Sequence, residues 1–186
     1  MSLIAHTEKE EVKAMTQEAP LHKIPKRRYE FKTNSFIIAE ALNFQSQSDV
    51  AGRRTLGGFI LPDFQRPRVW TLEQNVALIE SIYEGFSFGS YAVVANSEVD
   101  APNSTHYYDG ILLDGQQRIA AILDYVDNKF PVFGFYYRDI TLADQRRFRQ
   151  TSFPRVELRT TDEALMRDYY NHMNFSGVRH QDDERA

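Results

Sequence analysis

Leu112-Leu113-Asp114-Gly115-Gln116-Gln117-Arg118-Ile119-Ala120-Ala121 is the stretch that decides how this chain is read. Leu112 and Leu113 close an apolar run, and Ile119, Ile122, Leu123 and Val126 recur at helical spacing. The stretch reads as a strand, a tight polar turn and an amphipathic helix that starts near Gln116. Gly115 supplies the turn without a side-chain penalty and lets a ligand approach the backbone. Asp114 stands where an N-cap belongs. The first turn of a helix leaves N–H groups unpaired, and its dipole favours negative charge. Arg118 adds a guanidinium that can grip a phosphate through two N–H bonds. These parts suit an anion, and phosphate above all. The plainer alternative is an ordinary strand–turn–helix junction whose helix start binds water. Gln116 and Gln117 weigh against it, because amides that both donate and accept are better at reading a ligand than at packing a core.

Upstream, Asp63-Phe64-Gln65-Arg66-Pro67-Arg68-Val69-Trp70 is a dense polar–aromatic loop following the short apolar run at 57–61. Thr71 and Gln74 form a capping box that opens a helix. Leu72, Val76, Ile79 and Tyr83 fall on one face of it, and Gly85 ends it. Phe64 and Trp70 read as core packing at the head of this helix, since large aromatics mostly fill cores. Gln65 and Arg66 are long polar side chains held between aromatics; a ligand site and a surface loop both remain open for them.

The rest of the chain alternates short strands and helices. The pattern predicts a helix over 35–42 capped by Thr33 or Asn34, a polar loop over 43–58 and short strands at 57–61 and 90–96. It predicts an acidic loop over 97–104, a strand over 106–113 bent at Asp109-Gly110, and an aromatic strand over 131–137. A helix over 141–150 carries Arg146, Arg147 and Arg149. A strand over 153–158 follows, then a helix from a Thr160/Glu163 capping box to about Asn174, with Gly177 as its stop. Several strands lie too close together for strict β-α-β winding. The expected class is therefore α+β: a small mixed sheet with helices packed around it. Residues 1–30 read as a flexible arm with an optional helix over 7–17, residues 31–180 as the domain, and 181–186 as a frayed tail. Lys26-Arg27-Arg28 is a small basic cluster, a solvated surface before it is a nucleic-acid contact.

Composition narrows the classes. Of 186 residues, 42% are hydrophobic, enough for one core. A net charge of −4 leaves no global basic field to draw the chain to nucleic acid, so any such contact must be a local patch. No cysteine occurs, which removes disulfides, thiolate metal sites and cysteine nucleophiles. The five histidines, His6, His22, His106, His172 and His180, show no zinc spacing. No apolar run reaches membrane-spanning length and no signal-peptide core is present, so the expected location is the cytoplasm.

Asp114-Gly115-Gln116-Gln117-Arg118 resembles the signature of the GmrSD-type N-terminal domain, a branch of the ParB/sulfiredoxin-like fold. The block from Ile60 to Trp70, with Glu73, Gln74, Leu78, Ile79, Ser81 and Ile82 in the helix after it, resembles a second motif of the same family. Tyr170, Asn174, Ser176 and Gly177 resemble a weaker, late element. Together the likeness spans about residues 34 to 180. It implies a compact ParB/sulfiredoxin-like domain. Related ParB proteins hold CTP through a G-x-x-R-x-x-A turn, and Gly115, Arg118 and Ala121 fit that pattern. Sulfiredoxins hold ATP on a similar turn with a reactive Cys; without cysteine, sulfinic-acid reduction is excluded here. GmrSD-type domains are linked to nucleotide hydrolysis and often sit beside an HNH-type nuclease in DNA-defence systems.

Residues and resemblance together give the expectation of a nucleoside triphosphate, base unspecified, bound with Mg²⁺. Gly115, Gln116 and Gln117 would cradle the phosphates through their backbone. Arg118 and Arg66 would meet the negative charge, and Gln65 and Gln117 would read the base or orient a water. Asp114 would hold the metal or position that water, with a plain helix cap as its equal alternative. Asp114, Gln117 and Arg118 are the catalytic candidates. The expected setting is DNA-related: defence, counter-defence or phage, with a separate nuclease as a conceivable protein partner. A second reading is a DNA- or protein-binding module with a vestigial nucleotide site, carried by Arg146, Arg147 and Arg149, with Arg155 and Arg159 nearby. A third is a ParB-like nuclease using Asp63, Asp109 and Asp114.

Overall fold

Tyr91-Ala92-Val93-Val94 is apolar at all four positions, and such a strand is stable only with both faces covered. The computed structural model describes residues 26–46, 50–95 and 108–175, and it buries all four. In chain order the elements are β1 (Phe31–Asn34), α1 (Ile38–Leu42), β2 (Thr55–Leu56), β3 (Phe59–Ile60), α2 (Leu72–Glu84), β4 (Tyr91–Val94), β5 (Leu112–Asp114), α3 (Gln116–Val126), α4 (Leu142–Gln150), β6 (Arg155–Leu158) and α5 (Glu163–Phe175). The main sheet has the order β1-β6-β4-β5, and β2 and β3 form a separate hairpin. β6 runs antiparallel to β1 and parallel to β4, while β4 and β5 are antiparallel. The sheet is therefore mixed and the domain is α+β, as the sequence pattern predicts.

Alternation along the strands divides the core between two sides of the sheet. Tyr91, Val93 and Leu112 join Ile79, Ile82, Ile119, Ile122, Tyr125 and Phe148, which come from α2, α3 and α4. Ala92, Val94 and Leu113 join Leu158 and Met166, with Tyr169 of α5 packed alongside. The adjacent residues Leu112 and Leu113 thus fill opposite layers. β5 lies at the sheet edge with α5 packed against it, and it carries the polar turn that follows it to the rim of both layers.

α2 matches its prediction closely. Thr71 accepts from the Gln74 amide and the Gln74 side chain accepts from the Thr71 amide, while Gly85 ends the helix in the left-handed region at φ 89°. Leu72, however, is exposed; the buried face runs through Ile79 and Ile82. Other boundaries differ from the predictions. Residues 31–34 form β1, and α1 begins only at Ile38, where the Glu40 carboxylate accepts from the Ile37 amide at 2.7 Å. The expected loop over 43–58 contains β2. The aromatic stretch 131–137 is not a strand. Phe133 and Gly134 both adopt positive φ, 50° and 82°, and turn the chain so that Val132 and Phe135 pair across a single bridge. The start of α5 is capped by Asp162, whose Oδ1 accepts from the Ala164 amide at 2.8 Å; Thr160 instead accepts from the Asp162 amide. The expected helix over 7–17, the loop over 97–104, the Gly177 stop and the 181–186 tail lie outside the described residues, as does most of the 1–30 arm. Arg28, from the basic cluster, pairs with Asp168 of α5 at 2.9 Å.

Candidate functional site

β5 ends at Asp114 and α3 begins at Gln116, so the whole turn is one residue, Gly115, at φ 92° and ψ 5°. Gly115, not Asp114, is therefore the N-cap. The strand keeps Asp114 in its ladder opposite Ala92, one residue short of the position that flanks the helix. The glycine has a second reason to be there. A Cβ at this position would stand 2.6 Å from the Tyr91 Cβ and 3.1 Å from its Cα, far inside contact distance. The space beside Gly115 is thus filled by β4, and the cleft opens elsewhere around the turn. Burial pushes the Tyr91 phenol up to about 12, so it is neutral at ordinary pH.

No side chain caps the start of α3. Its first N–H groups and the positive end of its dipole are presented without a carboxylate of their own. Around this terminus lies a cleft of about 70 Å³ lined by residues of four segments: Leu113–Arg118, Gln65 and Arg66, Trp70, and Asn174 of α5. The two widely separated sequence motifs are therefore brought together, and the late element contributes through Asn174. The Arg66 amide donates to the Tyr170 hydroxyl at 3.2 Å, which ties the Arg66 loop to α5, and within that helix the Asn174 side chain donates to the Tyr170 carbonyl at 2.8 Å.

Each polar side chain has a distinct position. Arg118 donates to the Asp114 carboxylate at 2.7 Å and to the Ser90 carbonyl at 2.6 Å, one helical turn binding itself to the ends of β4 and β5. Both members of the pair retain about a quarter of their side-chain exposure, so the pair faces the cleft rather than the core. Its Nε is buried without a partner. Gln117 is 7% exposed and its amide is engaged with the 62–71 loop at both ends: Oε1 accepts from the Val69 and Trp70 amides at 3.1 and 3.3 Å, and Nε2 donates to the Pro67 carbonyl at 3.3 Å. Gln65 and Gln116 are each 5% exposed, and the Oε1 atom of each is buried without a partner. Buried acceptors of this kind are uncommon and costly, of order 1–3 kcal/mol each. Trp70 is half-buried on the cleft wall and not in the core that its size suggests. Phe64 does pack, against Tyr170 and under the Arg167 guanidinium. Burial pushes the Tyr169 phenol up, and the Asp114 charge adds to the shift.

A second tie holds the 62–71 loop to α3. Arg68 and Lys129 both pair with Asp124. Burial pushes the Asp124 carboxyl up, but its hydrogen bonds to Arg68 and Lys129 outweigh that, and the net effect holds it below the ordinary carboxylate range. Gln117 and Asp124 stand seven residues apart on α3, hence on one face, and together they fix the loop that carries Gln65 and Arg66.

The other candidate residues are placed as follows. Arg146 and Arg149 lie on α4, exposed and half-buried respectively, and Arg147 pairs with Asp144 at 3.3 Å while lying over the Tyr83 ring. Arg155 is occupied internally, paired with Glu157 and set over the Phe36 and Phe44 rings. Asp63, Asp109 and Asp114 do not gather: among the described residues no three His, Cys, Asp or Glu side chains form a potential metal cluster. Asn174 and Trp70 are cleft residues that sequence reasoning did not put among its site candidates. The late motif contained the signal for Asn174, and for Tyr170, which sits behind the cleft and holds the Arg66 loop; nothing in the sequence separated Trp70 from a core tryptophan.

No helix among the described residues is long and apolar enough to cross a membrane. No curated protein and no solved structure matches the chain. Residues 38–184 match the family model described as the GmrSD restriction endonuclease, N-terminal domain. That match covers most of the chain, including both halves of the cleft and the α5 residues that close it, so this protein belongs to the GmrSD N-terminal-domain family and its role is a DNA-related one.

Proposed function

We propose that the cleft at the head of α3 binds the phosphates of a nucleoside triphosphate and promotes their hydrolysis, in a restriction, counter-restriction or phage-related process. The observation that carries this reading is the polar imbalance of the cleft. An uncapped helix start, a partnerless Arg118 Nε and two partnerless amide oxygens, Gln65 Oε1 and Gln116 Oε1, belong to residues that line one opening. The helix start and guanidinium call for an anion, and the amide oxygens for donors such as a sugar hydroxyl, a base amino group or a water. A volume of about 70 Å³ suits phosphoryl groups, while whole small-molecule sites run to roughly 300 Å³ or more. The base and sugar would therefore lie along the mouth, where Trp70 and Arg66 offer a ring and a cation.

Mg²⁺ fits the residues present, since it is commonly held by one or two carboxylates plus the phosphates themselves. Asp114 is the carboxylate on the cleft wall and would be its protein ligand. When bound, the metal would neutralise charge developing on the transferred phosphoryl group. Arg118 would turn from Asp114 toward phosphate, exchanging one ion pair for two charge-matched contacts. Gln116, whose Oε1 has no partner, is the better placed amide to orient a water. Gln117 serves as a positioning residue, because its amide is committed to the loop.

The test is a titration of each of the four ribonucleoside triphosphates, with and without Mg²⁺, by calorimetry and phosphate release. The expected result is binding of at least one of them, weakened about tenfold or more in Arg118→Ala. Absence of binding at millimolar concentration, or affinity untouched by Arg118→Ala, would sink the reading.

A further inference from the structure

A second and larger cleft, of about 330 Å³, opens on the other side of the 62–66 strip. Asp63 and Phe64 line it, whereas Gln65 and Arg66 line the first cleft. The two cavities therefore share a wall and no lining residue. The floor of the second is apolar, with Leu61 and the buried Met166. Three guanidiniums stand around it, those of Arg53, Arg54 and Arg167. Arg167 lies over the Phe64 ring, 4.6 Å from its centroid, and takes part in no ion pair among the described residues. Arg54 makes one long bond, 3.4 Å, to the Gln65 carbonyl. Two carboxylates, Asp63 and Glu163, complete the rim, leaving a net charge of +1 from three arginines and two acids.

This mixture restricts the ligand. A volume above roughly 300 Å³ is in the range of small-molecule sites. Guanidiniums grip phosphate oxygens in pairs, and an arginine stacked on phenylalanine offers a flat surface to an aromatic ring. The exposed rim carboxylates accept hydrogen bonds, which favours a ligand that also brings donors. A fatty acid has the apolar body and the negative head but no such donors. A nucleotide has a flat ring, hydroxyl and amino donors, and a phosphate. The geometry points to a second binding site, for one nucleotide unit, free or within a nucleic-acid strand, with its phosphate on Arg54 and Arg167 and its ring over the apolar floor. This site is independent of the triphosphate reading for the first cleft.

The experiment titrates the full chain with a fluorescent nucleoside monophosphate and with short labelled single- and double-stranded DNA, read by anisotropy at two salt concentrations. At least one probe is expected to bind, more weakly at high salt. A monophosphate that binds alone marks a free nucleotide as the ligand; binding by an oligonucleotide only marks a strand. Arg167→Ala, an exposed position, should weaken binding about tenfold or more, and Asp63→Asn should strengthen it by removing a like charge from the rim. Arg118→Ala, in the other cleft, should leave this binding as it was. No binding at millimolar probe, indifference to Arg167→Ala, or equal loss in Arg118→Ala would overturn the proposal. The last outcome would assign the ligand to the first cleft.

Discussion

At the scale of single residues, the turn at Gly115 carries two constraints at once. It holds φ 92°, and its missing Cβ leaves room for β4. Gly115→Ala would meet both, strain in the left-handed region and overlap with the Tyr91 backbone. A loss of at least about 2 kcal/mol is expected in urea unfolding. Gln117 tests a different point. Gln117→Leu keeps the volume but leaves the Val69 and Trp70 amides and the Pro67 carbonyl without their partner. It should lower stability by roughly 1–3 kcal/mol and speed proteolysis within 62–71. A variant as stable and as resistant as the parent would refute the clip. The polar character of the Asp114–Arg118 turn was readable from sequence because glycine, helix start and arginine are neighbours in the chain. The use of Gln117 was not, because the atoms that engage its amide come from a loop some fifty residues earlier. Nor was the reason for Gly115, which is the approach of Tyr91 from another strand.

Among the elements, those whose ends are fixed by local side chains were legible in advance, and those fixed by distant partners were not. α2 begins where a Thr and a Gln three residues on can satisfy each other's amides. Thr71→Ala should therefore cost about 1 kcal/mol in thermal or urea unfolding, whereas Leu72→Ala, at an exposed position, should change little. β1 is the opposite case. Phe31-Lys32-Thr33-Asn34 is mostly exposed and has no apolar period; it is extended because β6 offers it a ladder from residues 155–158. The 131–137 stretch erred the other way. Its aromatics have high strand propensity, but Phe133 and Gly134 turn the backbone too tightly for a strand, and propensity yields to that turn.

On the scale of the whole molecule, the candidate site depends on parts from three regions, and electrostatic ties help hold them. Asp124 links α3 to the 62–71 loop through Arg68 and to the end of its own helix through Lys129. Its carboxyl titrates lower when folded than when unfolded. The tie thus contributes in full above the unfolded value, near pH 4, and the contribution is lost as the pH falls through the lower folded value. Asp124→Asn should flatten the acid side of the stability curve measured by urea midpoints between pH 2 and 6. An unchanged acid limb would remove Asp124 from this role.

The strand order has a consequence for how the chain is made. β6 sits between β1 and β4, yet among the described residues it is the last strand in sequence, more than 120 residues after β1. A polypeptide emerging from the ribosome would carry β1, β4 and β5 with the middle slot of their sheet vacant. Only when residues 155–158 have cleared the exit tunnel can the first strand find its neighbour and the helix that closes the cleft, α5, follow. The nascent protein must keep its apolar fourth strand half bare until β6 has been made, which makes β4 the surface a chaperone would cover during translation.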